Sequence, residues 1–263
     1  MLKALKPLIL GLIVGFSLCC TTSVLAAVKA NGSFRFHLLA EPYGLDSASI
    51  RGSSGAYLFN NIYRGLYRYS SKKGLIPEGA KKCWFKTPKT FLCELKKTKW
   101  SNGEAIKAKH YVLAFRRLLN PKTKTIQSER LIRLKNAKQI LKGKLPVKKL
   151  GIKALSENLL QFDFETHDPE FKYKLATPVL APVYTNTFPS RQNSHKLVNN
   201  GPYSFKKWAP GVRVELIPNK YYDTQSKLRP LVSILFVEDN STASRFYELG
   251  KLNFLRRVPF SEI

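Results

Sequence analysis

The sequence predicts a mixed α/β protein, and three observations support this. Segments 34–38 and 159–164 alternate apolar and polar residues with the period of half-buried strands. Segment 108–119 instead carries apolar residues at helical spacing. Strand and helix patterns follow one another along 263 residues, 44% of them hydrophobic, without an internal repeat. The chain is therefore long and apolar enough for one large domain or two ordinary ones.

The first elements after the amino terminus are a strand, a loop and a helix. Strand 34–38 runs into the turn-rich loop 41–46, of the kind that carries binding residues at the end of a rigid strand. We expect a helix capped by Ser53 or Ser54 and reaching Leu66, followed by an extended piece at 67–69.

The clearest local pattern lies between Cys83 and Leu119. A turn at Thr87–Lys89 separates two aromatic-rich segments, which predicts a hairpin. Asn102 and Gly103 predict a second tight turn, since glycine readily adopts a positive φ. The helix from 108 follows and ends at Asn120–Pro121.

The middle of the chain predicts a long helix over 125–141, closed by Gly143, then a hairpin over 151–164 and a short helix from Asp168. Prolines 178, 182 and 189 and the polar segment 190–194 then interrupt any long element, which indicates a domain crossing.

The last part predicts a hairpin over 203–217, a buried strand over 231–237 and a final helix. Asn240 or Ser241 is expected to cap that helix and Gly250 to end it.

The amino terminus has the pattern of a secretory signal. Lys3 and Lys6 precede an apolar segment, and Ala26 ends a small-residue cleavage pattern, so residues 1–26 are expected to be removed. An uncleaved anchor helix and lipidation at Cys19 or Cys20 are the alternatives. We therefore expect a periplasmic or secreted protein.

Loss of that signal leaves Cys83 and Cys93 as the only cysteines. Because they lie opposite each other across the predicted hairpin, we expect them to form a disulfide. Metal binding or redox chemistry is the alternative for such a pair.

The formal charge is +28, or +26 without Lys3 and Lys6. One interpretation is a generally basic surface, because lysines are scattered along the chain. The other is attraction to anionic envelope lipid, acidic ligands or nucleic acid. No nucleic-acid-binding motif accompanies the charge, so we expect no nucleic-acid partner.

Side chains for catalysis are poorly represented. His37, His110, His167 and His195 lack metal-ligand spacing and are interpreted as structural or exposed, with His110 near the charged side of its helix. Phosphate-loop and nucleophile-elbow motifs are absent from the sequence, so we expect a binding protein without cofactor or metal rather than an enzyme. Core packing and a ligand cleft are the two interpretations of the tryptophans Trp84, Trp100 and Trp208.

The order of several short motifs resembles the family 5 extracellular solute-binding proteins, which include the periplasmic oligopeptide-binding proteins of ABC importers. The motifs are Glu41–Asp46, Asn60–Leu66, Pro77–Ala80 with Trp84, Phe91–Leu95, Trp100–Gly103, Leu150–Ala154, Asn200–Tyr203 and Gly250–Leu252.

The resemblance implies a periplasmic-binding-protein-like lobe with an inserted small α+β domain. Residues 27–66 and 190–263 would form the discontinuous lobe, and 67–189 the insert. It further implies an extended peptide as ligand and an ABC permease in the membrane as partner. By motif position, the cleft would be bordered by Glu41, Pro42, Tyr43, Asn200, Gly201 and Tyr203.

The family's third domain, with the acidic group expected to hold the peptide amine, has no counterpart here. We therefore expect a truncated protein, with a separately encoded carboxyl-terminal half as one candidate partner. The alternative is a truncated non-transport interaction protein that uses its basic surface on anionic envelope components. Two smaller departures are Asn253, where the family commonly has Asp, and Leu113, where its best-known members have an aromatic residue.

Overall fold

The computed structural model describes residues 32–222 and 229–258, which form ten β-strands and five α-helices joined by loops and short 3-10 helices. The helices are α1 (Gly52–Ile62), α2 (Ala108–Leu118), α3 (Ala137–Leu141), α4 (Phe171–Lys174) and α5 (Asn240–Glu248). The strands are β1 (Ser33–Leu38), β2 (Tyr67–Ser70), β3 (Gly74–Pro77), β4 (Ala80–Thr87), β5 (Thr90–Leu95), β6 (Ile152–Ser156), β7 (Leu159–Asp163), β8 (Tyr203–Ala209), β9 (Arg213–Pro218) and β10 (Leu231–Phe236).

The strands are arranged in three sheets. One has the order β1-β10-β9-β8, so the first strand pairs in parallel with a strand from the far end of the chain. The middle of the chain forms an antiparallel sheet, β4-β5-β7-β6, and the ribbon β2-β3. The mixed α/β class predicted from the sequence is confirmed.

The hairpin β4–β5 has the predicted register. Cys83 lies directly opposite Cys93, their Cα atoms are 4.1 Å apart, and the two residues form a disulfide. The turn at Asn102–Gly103 is also confirmed, with Gly103 at a φ of +92°. Both features follow from local turn chemistry.

Helix α2 packs its apolar face into the main core. Tyr111, Phe115 and Leu118 are buried there, as their spacing predicts. The position assigned to His110 was wrong, because its ring is buried against Trp100, with ring centroids 5.3 Å apart. Burial, with the positive charge of Lys109, lowers the pKa of His110.

The long helix predicted over 125–141 was wrong. The structure has a 3-10 helix at Ile126–Leu131 and then only the short α3, with Asn136 in the left-handed conformation at a φ of +67°. Between them, the Lys135 N–H donates to the carbonyl of Asp163 at 2.8 Å. Pairing of this segment with the end of β7 therefore replaces helical hydrogen bonds.

Helix α1 also differs from its prediction, since it begins at Gly52, after Arg51 as N-cap, and ends at Ile62 rather than Leu66. It stops because the amide of Asn200 hydrogen-bonds both backbone groups of Arg64, at 3.0 and 2.7 Å. The backbone beyond Ile62 is thus held in a non-helical conformation.

Two predictions near the carboxyl terminus need correction. Strand β10 was predicted to be buried but is only partly so. Leu231 is 40% exposed, because this part of the sheet lines an open groove. The cap of α5 is Asp239, whose side chain accepts from the Thr242 N–H at 2.7 Å. Gly250, at a φ of +67°, follows α5 as predicted.

The expected signal peptide, including Cys19 and Cys20, lies outside the described residues. Within residues 32–222 and 229–258, no helix combines the length and apolar character that a membrane span requires.

Candidate functional site

The carboxylate of Glu41 anchors the loop that follows β1. Its Oε1 accepts from the indole N–H of Trp208 at 2.7 Å and pairs with Arg191 at 2.8 Å. Its Oε2 accepts from the backbone N–H of Gly211 at 2.9 Å. Three donors from two other parts of the chain therefore hold one end of loop 41–46 in place.

These contacts also determine the protonation of Glu41. Burial favours the neutral acid, but the hydrogen bonds from Trp208, Gly211 and Arg191 outweigh it and lower the pKa of Glu41. Because the ionised carboxylate already has three partners, its chief role in this arrangement is to position the loop.

Pro42 and Tyr43, which follow Glu41 in the loop, differ in their exposure to solvent. Pro42 is buried, whereas Tyr43 is 76% exposed. The guanidinium of Arg51 lies 5.8 Å from the centroid of the Tyr43 ring. A large aromatic side chain is therefore presented to solvent from a fixed backbone, which suits it to contact a ligand.

Asp46 fixes the other end of the loop. Its carboxylate accepts from the Ala48 N–H at 2.8 Å and so caps the 3-10 helix Ser47–Ser49. The same carboxylate binds both terminal nitrogens of Arg117 on α2, with one contact at 2.7 Å. The loop is thus tied to a helix from the middle of the chain.

Two cavities flank the loop at Asp46. A cavity of about 280 Å³ is lined by Tyr43, Asp46, Ala48, Ser49, Ile50, Arg51, Thr123, Lys124, Thr125 and Ile126. A second, of about 550 Å³, is lined by Asp46, Leu113, Arg116, Arg117, Asn120, Lys122, Thr123, Val147 and Asn186. Cations outnumber carboxylates in both linings, so the surroundings of the loop favour anionic groups. Leu113, noted above as a departure from the family pattern, lines the second.

Asn200 and Gly201 are used for internal packing. The Asn200 amide is occupied by the backbone of Arg64, and the Gly201 N–H donates to the Ile62 carbonyl at 2.8 Å. A Cβ on Gly201 would lie 2.4 Å from the carbonyl carbon of Ile62, so only glycine fits there. The preceding Asn199 also donates to Ile62, at 2.8 Å.

Tyr203 is half-buried, and burial raises the pKa of its hydroxyl, with the charge of Arg229 opposing this. It begins β8, whereas Glu41 contacts Trp208 near the end of that strand. At about 3.3 Å per residue, the five steps from Tyr203 to Trp208 span about 16 Å. The six predicted residues thus form two groups at opposite ends of β8.

Sequence reasoning missed the partners that hold the loop. In the sequence, no pattern singles out Arg117 from the other cations of its helix, or Arg191 within the polar segment 190–194. Core packing is confirmed for Trp100 and Trp208, which are buried, whereas Trp84 is 37% exposed beneath the amine of Lys82.

The histidines are separate from this site. His37 is buried, and its pKa is lowered by burial and by the charge of Arg256, while His167 and His195 are exposed. In the described part of the chain, no group of three or more His, Cys, Asp or Glu side chains is placed to hold a metal ion.

A family model described as "Bacterial extracellular solute-binding proteins, family 5 Middle" matches residues 74–263. The chain belongs to the bacterial extracellular solute-binding proteins of family 5.

Similar proteins and structures agree with this assignment. The dipeptide-binding protein of Lactococcus lactis is 27% identical over 84% of this chain, and a probable deoxycholate-binding periplasmic protein of Escherichia coli is 26% identical over 88%. The structure of Burkholderia pseudomallei OppA is 28% identical and superimposes with a TM-score of 0.81 over 87% of the chain.

These matches cover less than half of the matched proteins. The chain spans 42% of the L. lactis protein, 44% of the E. coli protein and 46% of the B. pseudomallei structure.

Proposed function

We propose that this chain binds peptides for an ABC importer and contributes the wall of the cleft formed by loop 41–46. Family membership supports this, together with the names of relatives such as the dipeptide-binding protein and OppA. The observation that carries the proposal is the rigid display of Tyr43 between two contacts, Glu41 with Trp208 and Asp46 with Arg117. A fixed loop with an exposed aromatic ring loses little conformational entropy on binding.

In this proposal, Tyr43 contacts the peptide, and Pro42 and Glu41 shape the loop behind it. Asn200 and Gly201 position the chain between α1 and β8, and Tyr203 borders the cleft from the start of β8. The cations beside the loop, including Arg51 and Lys124, favour the carboxyl end or acidic side chains of a peptide.

The organisation of the chain belongs to the same proposal. Residues 27–66 and 190–263 form one lobe and 67–189 an insert, which the pairing of β1 with β10 supports. The protein is exported, with residues 1–26 removed after Ala26; similarity to periplasmic peptide-binding proteins such as MppA and OppA supports the export. Its role is binding without catalysis.

The partners follow from the same reasoning. An ABC permease receives the peptide. Because the relatives extend well beyond the matched length, a polypeptide equivalent to their remaining part adds a second wall to the cleft, on the same chain or encoded separately, while loop 41–46 also binds peptide by itself.

The test uses an aromatic truncation on the loop and a matched one elsewhere. Short peptides of mixed sequence are titrated calorimetrically into the wild type, Tyr43→Ala and Tyr173→Ala, whose tyrosine is 55% exposed on α4. We expect Tyr43→Ala to weaken binding about tenfold and Tyr173→Ala to leave it unchanged. Equal affinities in all three proteins would contradict a role for the loop.

A further inference from the structure

A third cavity, away from loop 41–46, has a high concentration of positive charge. It has a volume of about 570 Å³ and lies between the ribbon β2–β3, the segment after β5 and the segment after β9. We call it the basic cleft; its lining is Arg64, Arg68, Lys73, Ile76, Pro77, Glu78, Gly79, Lys96, Lys97, Thr98, Lys99, Ile106, Asn200, Tyr221 and Tyr222. Six of these residues are cationic and one, Glu78, is anionic.

The charge of Glu78 is already compensated within the protein. Its carboxylate pairs with Arg68 at 2.7 Å, lies 3.8 Å from Arg64 and accepts a hydrogen bond from the Tyr222 hydroxyl. This one carboxylate is therefore satisfied by groups on the wall of the cleft, and it leaves the lysines uncompensated.

The four lysines of the cleft have no carboxylate partner among the described residues. Among residues 32–222 and 229–258, Lys73, Lys96, Lys97 and Lys99 form no ion pair, and the amine of Lys96 donates only to the Pro77 carbonyl, at 3.2 Å. Like charges held in one cleft repel one another, so a bound anion would relieve that repulsion.

The wall of the cleft is also rigid. The Glu78 and Gly79 N–H groups donate to the carbonyls of Leu66 and Gly65, at 2.9 and 3.2 Å. A Cβ on Gly79 would lie 2.3 Å from the hydroxyl of Tyr111, so the backbone is closely packed there. The backbone on this side of the cleft is consequently held in place before any ligand arrives, which lowers the part of the entropic cost of binding that comes from ordering the backbone.

The guanidinium of Arg64 is only loosely paired on this wall. Its Nε lies 3.8 Å from Oε1 of Glu78, beyond hydrogen-bond distance, and has no hydrogen-bond partner among the described residues, while both backbone groups of Arg64 are held by Asn200. Because the side chain is still 24% exposed and a guanidinium carries five N–H donors, an anion in the cleft can reach it.

We infer that the basic cleft binds a phosphate-bearing anion. A carboxylate is satisfied by few partners, as the contacts of Glu78 show. A phosphate group presents more oxygen atoms and carries more charge, so it can interact with more of the surrounding cations. Guanidinium groups at Arg64 and Arg68, together with the four lysines of the same cleft, suit such a ligand. A free phosphate compound and a phospholipid headgroup share this chemistry, and the experiment below distinguishes these sources.

The test compares two triple variants that lose the same charge. One is Lys73→Ala/Lys97→Ala/Lys99→Ala in the cleft; the other is Lys138→Ala/Lys142→Ala/Lys144→Ala, three exposed lysines near α3. Binding of inorganic pyrophosphate is measured by calorimetry, and binding to vesicles of phosphatidylglycerol and phosphatidylcholine by sedimentation. Both are done at about 0.1 M salt, where the screening length is about 10 Å. Urea unfolding checks that each variant is folded.

We expect the cleft variant to bind at least about tenfold more weakly than the wild type, and the α3 variant to match the wild type. If the cleft variant loses affinity for pyrophosphate, the ligand is a soluble phosphate compound. If it loses affinity only for the vesicles, the ligand is a lipid headgroup. Three results would overturn the inference. They are equal losses of affinity in both variants, no binding of either probe by the wild type, and binding of a dicarboxylate such as succinate as tight as that of pyrophosphate. Peptide binding at loop 41–46 is a separate readout, so either proposal can fail alone.

Discussion

The carboxylate of Asp46 binds both terminal nitrogens of Arg117, 71 positions away in the sequence. Both side chains are largely withdrawn from solvent, and the contact ties the loop after β1 to α2. We expect Asp46→Asn and Arg117→Met each to reduce the free energy of unfolding by about 2 kcal/mol, because each leaves a charged or polar partner poorly satisfied.

The double variant distinguishes a direct pair from two independent effects. If the residues act together, the double variant loses less than the sum of the two single losses, with a coupling of about 1 kcal/mol in urea unfolding. Additive losses would show that the contact itself contributes nothing to stability.

Gly201 offers a test of the packing between α1 and β8. An added Cβ would lie 2.4 to 2.6 Å from backbone atoms of Asn61 and Ile62. We expect Gly201→Ala to cost about 2 to 3 kcal/mol in urea unfolding. Gly44→Ala is the matched control, since a Cβ there meets nothing within 4 Å. Similar midpoints for the two variants would refute the close approach.

The lowered pKa of Glu41 predicts that its contribution to the free energy of unfolding depends on pH. Its folded pKa lies below the usual 4.5, so its contribution is present above pH 4.5 and is lost as the pH falls through the lowered value. The stability difference between the wild type and Glu41→Gln, measured by urea unfolding, should be largest near neutral pH and shrink with acidification below 4.5. A difference that grows on acidification has the wrong sign for this account.

The disulfide between Cys83 and Cys93 closes a loop with a sequence separation of 10. In the chain-entropy description, removing it costs about 2 to 3 kcal/mol. We expect Cys83→Ser/Cys93→Ser to lose this amount in urea unfolding and reductant to destabilise the wild type by the same amount. Thiol titration of the unfolded wild type should find no reaction at either cysteine; free thiols there would contradict the bond.

Local patterns predicted much of the fold. The hairpin β4–β5 and its cysteine register, the hairpin β8–β9 and helix α2 all follow from turn residues and apolar periodicity within one short segment. Errors arose where distant residues decide the backbone. Asn200 ends α1 through Arg64, and the pairing of Lys135 with Asp163 removes most of the helix expected over 125–141.

The candidate site was predictable only in part. The loop at 41–46 was found from its turn composition and family pattern, but nothing in one sequence pairs Glu41 with Trp208 or Asp46 with Arg117. These contacts depend on tertiary packing. The basic cleft was equally hidden, because its cations come from separated segments, of which Arg64 and Lys99 are examples.

The most direct measurement is a calorimetric titration of short mixed-sequence peptides, with free or amidated carboxyl ends, into the unaltered chain. The proposal predicts saturable binding, weaker for amidated peptides because cations such as Arg51 and Lys124 flank the loop. An absence of saturable heat with either set of peptides would contradict the claim that this chain binds peptides.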